Sequence, residues 1–384
     1  MSKATGAASM RRLVGLFNSP LSSATKSAAA AAAAAVNYSK PIAGPDQRKF
    51  KKLAEKFKKS SESSKFRNYT KNAFSITVQR LALAKQFSLI DDILQHQKKY
   101  EDISKEGFVV RLMTLYGKAG MFEHAHKLFD EMPELNCPRT VNSFNALLAA
   151  YIHSKKFDNV VKLLEELPEK IRIEPDLISY NTVIKAYCEM GSMDSAVSVI
   201  DTLEKKGLEP DIITFNILLD GFFSGGRIAD GEDIWRLMEN KNVVPDIWTY
   251  NAKLRGLVHE RKISEAVELR EEMKSKRIKP DIHSYNALIT GYCNAGNLEQ
   301  VMKWYGELKK RFLPDRVTYI TVLAFLRKKN EFEMASEICK EATKRHKISG
   351  AALVDRLVKE SRIEEAIQFV ESGLSRSALR LKFP

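Results

Sequence analysis

The chain has 384 residues, a formal net charge of +14 at pH 7, four Cys and seven His. It contains no run of 18 apolar residues that could span a bilayer, no secretory h-region, no CxxC pair, no HxE followed by CxxC, and no GxxxxGK[ST] loop. Dithiol redox enzymes, zinc deaminases and P-loop nucleotide enzymes are therefore excluded, and no constellation for nucleophilic or acid–base chemistry is present.

In chain order, residues 1–40 come first. They are rich in Ala and Ser, contain Arg11 and Arg12, and lack acids, which is the composition of an organelle transit peptide; the alternative is a low-complexity tail built around Ala28–Ala35. A mitochondrial address is expected ahead of a plastid one. Residues 41–71 follow as a basic, flexible arm. Its core, "DQRKFKKLAEKFKKSSESSKFRNYTK" (46–71), carries a net charge of +7 and leaves only +2 for everything after it. Arg48, Lys49, Lys51, Lys52, Lys56, Lys58 and Lys59 alternate with Phe50, Phe57, Phe66 and Tyr69. Such a block binds phosphate backbones through counterion release, with aromatics available for stacking. A solvated linker is the plainer alternative.

From residue 72 to 377 the chain repeats itself. "EPDLISYNTVIKAYCEMG" is followed by "EPDIITFNILLDGFFSGG", "VPDIWTYNAKLRGLVHER" and "KPDIHSYNALITGYCNAG". Asn145, Asn181, Asn216, Asn251 and Asn286 recur at spacings of 36, 35, 35 and 35, and a Pro-Asp pair keeps the same period from Pro175 to Pro314. Units framed to begin after each Asp are 141–176, 177–211, 212–246, 247–281 and 282–315. Weaker copies lie at 71–105, 106–140, 316–346 and 347–377, so about nine units are expected, followed by a short basic tail at 378–384.

Each unit reads as two helices. In 177–211, Tyr180, Val183, Ile184 and Tyr187 form one apolar stripe, and Ala196, Val199, Ile200 and Leu203 form a second. Gly191 ends the first helix, and Gly207 with Pro210 ends the second. The first stop recurs at Gly120, Gly226 and Gly296, with Asn330 in a later copy. A small residue recurs early in the second helix (Ala125, Ala196, Gly231, Ala266, Ala335, Ala366), though Val160 and Val301 interrupt it. One hairpin cannot bury its own apolar face but stacked hairpins can, which predicts an all-α, right-handed superhelical solenoid. The four Cys read as reduced core residues, and neither a metal, a cofactor nor a small-molecule substrate is expected.

The repeated Asn needs its own account, because Asn is a mediocre helix former. It could cap the first helix, but a cap would accept Ser, Thr or Asp as readily. Its amide also offers a donor and an acceptor to the edge of an unstacked base, and the closing Asp176, Asp211, Asp246, Asp281 and Asp315 could orient it. One base per repeat is the logic of modular single-strand RNA binders.

In its "SYNTVIKAYCEMG", "TFNILLDGFFSGG", "TYNAKLRGL" and "SYNALITGYCNAG" helices and its closing "EPD", "VPD" and "KPD", the chain resembles the pentatricopeptide repeat family. The resemblance covers about four-fifths of it; the 34-residue tetratricopeptide pattern, with its Trp-Leu-Gly-Tyr signature, is absent. The resemblance implies organelle location and RNA binding, with the fifth and last residues of a repeat selecting the base. Asn with Asp favours U and then C, so five pairs imply a pyrimidine run: Asn145/Asp176, Asn181/Asp211, Asn216/Asp246, Asn251/Asp281 and Asn286/Asp315. The second residue clamps the base in that family. Ile178 and Ile213 follow the pattern, Asn142, Trp248 and His283 depart from it, and Trp248 offers a stacking surface instead. Val110, Ile320 and Ala351 stand where Asn would be in the flanking units, so the readable array is five units at most.

Five pyrimidine positions match about one site in 32, too few to single out a transcript. The short layout of plain repeats is similar to the small pentatricopeptide proteins that plant mitochondria build into their ribosomes, especially the small subunit. The first expectation is therefore a structural ribosomal subunit contacting ribosomal RNA and mitochondrial ribosomal proteins. The alternatives are a free organellar factor that stabilises or activates pyrimidine-rich transcripts, and a protein-binding scaffold.

Overall fold

The structure is a computed structural model that describes residues 45–69, 71–345, 357 and 362–377. The expected transit peptide, the basic tail at 378–384 and the first half of the unit at 347–377 lie outside the described residues. Among the described residues there are helices and no strands. They form two compact units divided after Pro175.

The repeat frame coincides with the helix starts. First helices begin at Val141, Leu177, Ile212, Ile247, Ile282 and Arg316, each directly after the residue that closes the preceding repeat, and the weaker copies begin at Lys71 and Glu106. The cause is local. Thr140, Asp176, Asp211, Asp246, Asp281 and Asp315 are extended N-cap residues whose side chains accept from backbone N–H groups of the first turn. The Ser or Thr three residues on (Ser143, Ser179, Thr214, Thr249, Ser284, Thr318) accepts in return from the cap's own N–H. Each reciprocal box satisfies donors that a bare helix start leaves open. The closing Asp is thus a helix cap, and a hydroxyl three residues after each cap is the sequence signal of the box.

The left-handed stop after the first helix is kept even where Gly is not. Gly191 has φ 76°, while Lys155 and Arg261 hold φ 57° and 60° at the same register. The turn geometry therefore outranks residue preference at these two positions, at a cost of about 1 kcal/mol each.

In the second compact unit, each first helix packs on its own second helix and on the first helix of the next repeat, which gives two layers. The core lies between them. Tyr180, Phe215, Tyr250, Tyr285 and Tyr319 share one register and are all buried, each ring contributing about 2–3 kcal/mol by leaving water. Two of their hydroxyls reach carboxylates on the second helix: Tyr250 donates to Glu272 at 3.0 Å and Tyr319 to Glu341 at 3.2 Å. The small-residue position is buried throughout, including at Val160 and Val301, so burial and not size defines it. At Gly231 a Cβ would stand 2.5 Å from the Phe223 ring.

The first compact unit corrects the expected flexible arm. Pro45–Ser61 is a helix that packs on Phe87–Gln95. Phe57 and Phe66 are buried; Phe57 meets Phe66 and Phe74 edge to face at centroid distances of 5.6 and 4.6 Å, and Phe66 lies tilted against Phe74 at 5.7 Å. These two rings are core, not surfaces for base stacking. Lys58 is committed as well: its Nζ lies 2.5 Å from the Asp92 carboxylate, and that hydrogen bond raises its pKa. Arg48, Lys49, Lys51, Lys52, Lys56 and Lys59 remain exposed. The period of the segment is helical, with Phe50, Leu53, Ala54 and Phe57 on one face, and the basic run conceals that stripe in the sequence.

Candidate nucleic-acid interface

The repeated Asn lies in the body of the first helix, four residues past its start, so it is not the cap. It is nearly inaccessible at Asn145, Asn181 and Asn251, with relative exposures of 1–2%, and half-buried at Asn216. A buried amide must be hydrogen-bonded or it costs stability, and for Asn181, Asn216, Asn251 and Asn286 the partners come from the following repeat. Its Oδ1 accepts the hydroxyl of the next unit's capping box: Thr214 gives to Asn181 at 2.7 Å, Thr249 to Asn216 at 2.7 Å, Ser284 to Asn251 at 2.6 Å and Thr318 to Asn286 at 2.8 Å. In the three later junctions Nδ2 also donates to the next cap: Asn216 to Asp246 at 3.2 Å, Asn251 to Asp281 at 3.1 Å and Asn286 to Asp315 at 3.2 Å. The inter-repeat tie was not foreseen, although a hydroxyl 32 or 33 residues after the Asn kept constant time.

Of the four expected pairs that lie within the second compact unit, the structure joins three directly: Asn216/Asp246, Asn251/Asp281 and Asn286/Asp315. Asn181 meets Thr214, the box partner of Asp211. Asn145 and Asp176 fall in different compact units, the first buried in helix 141–153 and the second capping helix 177–190.

What the pairs can still do follows from valence. A carboxamide nitrogen has two hydrogens, and the bond to Asp uses one. On Asp246, the bonds from Trp248 N, Thr249 N and Asn216 Nδ2 all fall on Oδ1, as the corresponding bonds do on Asp281. Each such junction retains one N–H and one carboxylate oxygen, Oδ2. This donor–acceptor couple matches the N3–H and carbonyl of uracil, or the N4–H and N3 of cytosine.

One turn earlier on the same helices, Ile178 and Ile213 are half-buried, whereas Trp248 is 40% exposed. Trp248 faces His283 of the next repeat at a centroid distance of 6.2 Å and a tilt of 33°. The expected clamp positions are therefore on the surface beside the Asn–Asp couples, and two of them are aromatic.

The four thiols are not poised to react. Burial pushes the thiol of Cys137 up to about 11 and those of Cys188, Cys293 and Cys339 up to about 12, so they are protonated at neutral pH. Among the described residues no group of three His, Cys, Asp or Glu is placed to hold a metal, and no helix is long and apolar enough to cross a membrane.

Comparison with known proteins agrees with this geometry. Profiles described as PPR repeat family match residues 175–224, 210–259, 245–294 and 280–328. A pentatricopeptide repeat domain profile matches 127–190, and a PPR repeat profile matches 111–137. Together they cover more than half of the chain. A pentatricopeptide repeat-containing protein of Arabidopsis thaliana is 59% identical over 150 residues, 39% of this chain and 27% of that protein. The small ribosomal subunit proteins mS78 and mS79 of the same plant are 54% and 53% identical over 162 and 163 residues, 42% of this chain and 40% and 41% of theirs. The matches thus span about a quarter to two-fifths of these relatives' length. With its repeat period, its two-layer hairpins and these matches, the chain belongs to the pentatricopeptide repeat family.

Proposed function

We propose that the chain is a mitochondrial RNA-binding protein that serves as a non-enzymatic structural subunit of the small ribosomal subunit. Its repeats hold a short pyrimidine-rich single-stranded segment of ribosomal RNA, and neighbouring ribosomal proteins complete the site. The observation that carries this reading is the recurring Asn–Asp couple, which retains one N–H and one carboxylate oxygen at successive junctions. Asn216/Asp246, Asn251/Asp281 and Asn286/Asp315 supply the geometry; Asn145/Asp176 and Asn181/Asp211 extend the array by resemblance. Ile178, Ile213 and Trp248 then flank the bases. The names of two relatives, small ribosomal subunit proteins, support the assembly, and they support the mitochondrial address together with the composition of residues 1–40.

In this reading the basic helix Pro45–Ser61 acts as a docked platform. Arg48, Lys49, Lys51, Lys52, Lys56 and Lys59 meet phosphates, and its aromatics hold it to the repeats. Phosphate contacts of this kind position RNA without selecting sequence, which suits a protein whose five couples are too few to find one transcript alone.

The test is a sedimentation profile of organelle lysate combined with ultraviolet crosslinking and sequencing of bound RNA. Co-migration with the small subunit through high salt, with crosslinks in its ribosomal RNA, is expected. A light, ribosome-free peak with crosslinks on pyrimidine tracts of messages would overturn the ribosomal reading in favour of a transcript factor. Asn-to-Ala changes cannot separate RNA binder from protein scaffold by stability, because the Asn also ties repeats together; RNA crosslinking does separate them.

A further inference from the structure

We propose that the capping-box hydroxyl is a positioning residue for base reading. Thr214, Thr249, Ser284 and Thr318 each fix the amide orientation of the Asn one repeat earlier, so that its nitrogen and never its oxygen is offered to the base. This rests on the base-reading role proposed above.

A carboxamide is nearly symmetric in shape, so its two orientations differ only in what they bond. A reader that could flip would present an acceptor as readily as a donor and would discriminate poorly. At the first three junctions the distances set the direction of each hydrogen bond, while Thr318 lies 2.8 Å from both Asn286 Oδ1 and Asp315 Oδ1. The hydroxyl oxygen already accepts the backbone N–H of its own cap residue: Asp211 to Thr214 at 3.3 Å, Asp246 to Thr249 at 3.0 Å, Asp281 to Ser284 at 3.2 Å and Asp315 to Thr318 at 3.3 Å. It has one proton to give. In the first three junctions the Asn Oδ1 lies at 2.6–2.7 Å, against 3.1–3.2 Å to the Asp Oδ1. At Asn216, Asn251 and Asn286 the Asp carboxylate, which can only accept, then takes a hydrogen from Nδ2. At these three a flipped amide would set its oxygen against that carboxylate and lose the bond from Nδ2, and it would also remove the hydroxyl's preferred acceptor.

The four hydroxyls are fully buried and do not touch a base themselves. Ser284 serves as well as the three Thr, so the hydroxyl and not the methyl is what the position requires. Such a locked supporting contact is what a binding group needs in order to hold one geometry.

The test uses the full chain and a series of short oligouridine RNAs in which one uridine at a time is replaced by adenosine. The wild-type protein is expected to lose about tenfold in affinity at the nucleotide read by Asn216/Asp246. Thr249→Val should reduce that penalty to about twofold at this nucleotide alone, while Thr249→Ser retains it. Asn216→Ala should also remove the penalty, and adding Thr249→Val to Asn216→Ala should change nothing further. If Thr249→Val keeps the full penalty while Asn216→Ala loses it, the hydroxyl only caps its helix and the positioning role is overturned. If Asn216→Ala keeps the penalty, base reading by the couple fails, and the positioning role fails with it. Ser284→Ala with Asn251→Ala repeats the cycle at the next junction should the first Val variant not fold.

Discussion

At the junction between units 106–140 and 141–176, Glu106 reaches from one first helix to the start of the next. One of its oxygens accepts from Thr140 Oγ1 at 2.7 Å, Thr140 N at 3.0 Å and Ser143 N at 3.2 Å, and Val110 stands where later repeats have Asn. At the junction between 212–246 and 247–281, Asn216 makes the connection through Thr249 and Asp246. Both junctions satisfy a capping box from the preceding repeat. The carboxylate tie has no hydrogen to offer outward, whereas the amide tie keeps one. Joining repeats therefore does not require Asn, and what sets the amide tie apart is the second N–H that it keeps.

The two regions also differ in how they use charge, and the largest predicted effect lies there. In the N-terminal unit Arg67 is buried, with Nε 2.7 Å from Asp102 and Nη1 2.8 Å and 3.0 Å from the carbonyls of Ser61 and Glu62. Arg67→Ala should cost about 3 kcal/mol by leaving the Ser61 and Glu62 carbonyls without their donor and Asp102 with Lys105 alone, read by denaturant unfolding. Asp102 is held below the usual carboxylate range, chiefly by its hydrogen bond from Lys105 and then by Arg67. A lowered native pKa gives stability that is present above the unfolded value of about 4 and is lost as pH falls through the native one. The N-terminal unit should accordingly weaken below about pH 4, and an acid titration of Asp102→Asn should show less of that decline.

In the repeat region the corresponding change is Asn251→Ala, which removes bonds to Ser284 and Asp281 in a buried setting. A loss of about 2–3 kcal/mol is expected, together with loss of oligouridine preference. Glu106→Gln is the matched control at the other junction. Its amide oxygen can still accept, so thermal unfolding should report about 1 kcal/mol or less, with no change in base preference. If both variants altered base preference equally, the contrast between the two junctions would collapse. The smallest effect is a gain: Arg261→Gly relieves a left-handed non-glycine residue and should stabilise its repeat by about 0.5–1 kcal/mol.

Much of this was legible in the sequence. The period located the first helices to the residue because Pro and a capping side chain both act within one turn. The apolar stripes named Tyr180, Ile184, Ala196 and Leu203, which are all buried. What escaped was of two kinds. The basic stretch at 46–71 was read by composition, and its amphipathic period, with Phe57 facing inward, was overridden by its charge. The Asn ties escaped because their partners sit about 30 residues away, and a pattern of burial does not report which polar atoms pair. The left-handed Lys155 and Arg261 were invisible for a related reason: stacking imposes the turn whatever residue occupies it.

The Asn repeats are proposed to face RNA while also joining the solenoid, and residue-level mapping of RNA–protein crosslinks on the endogenous protein by mass spectrometry tests this. Uridine or cytidine adducts should fall on the first helices of units 177–315, at Trp248 and His283 above all. Adducts confined to Pro45–Ser61, with none on those helices, would contradict it and leave the Asn ties a purely structural device.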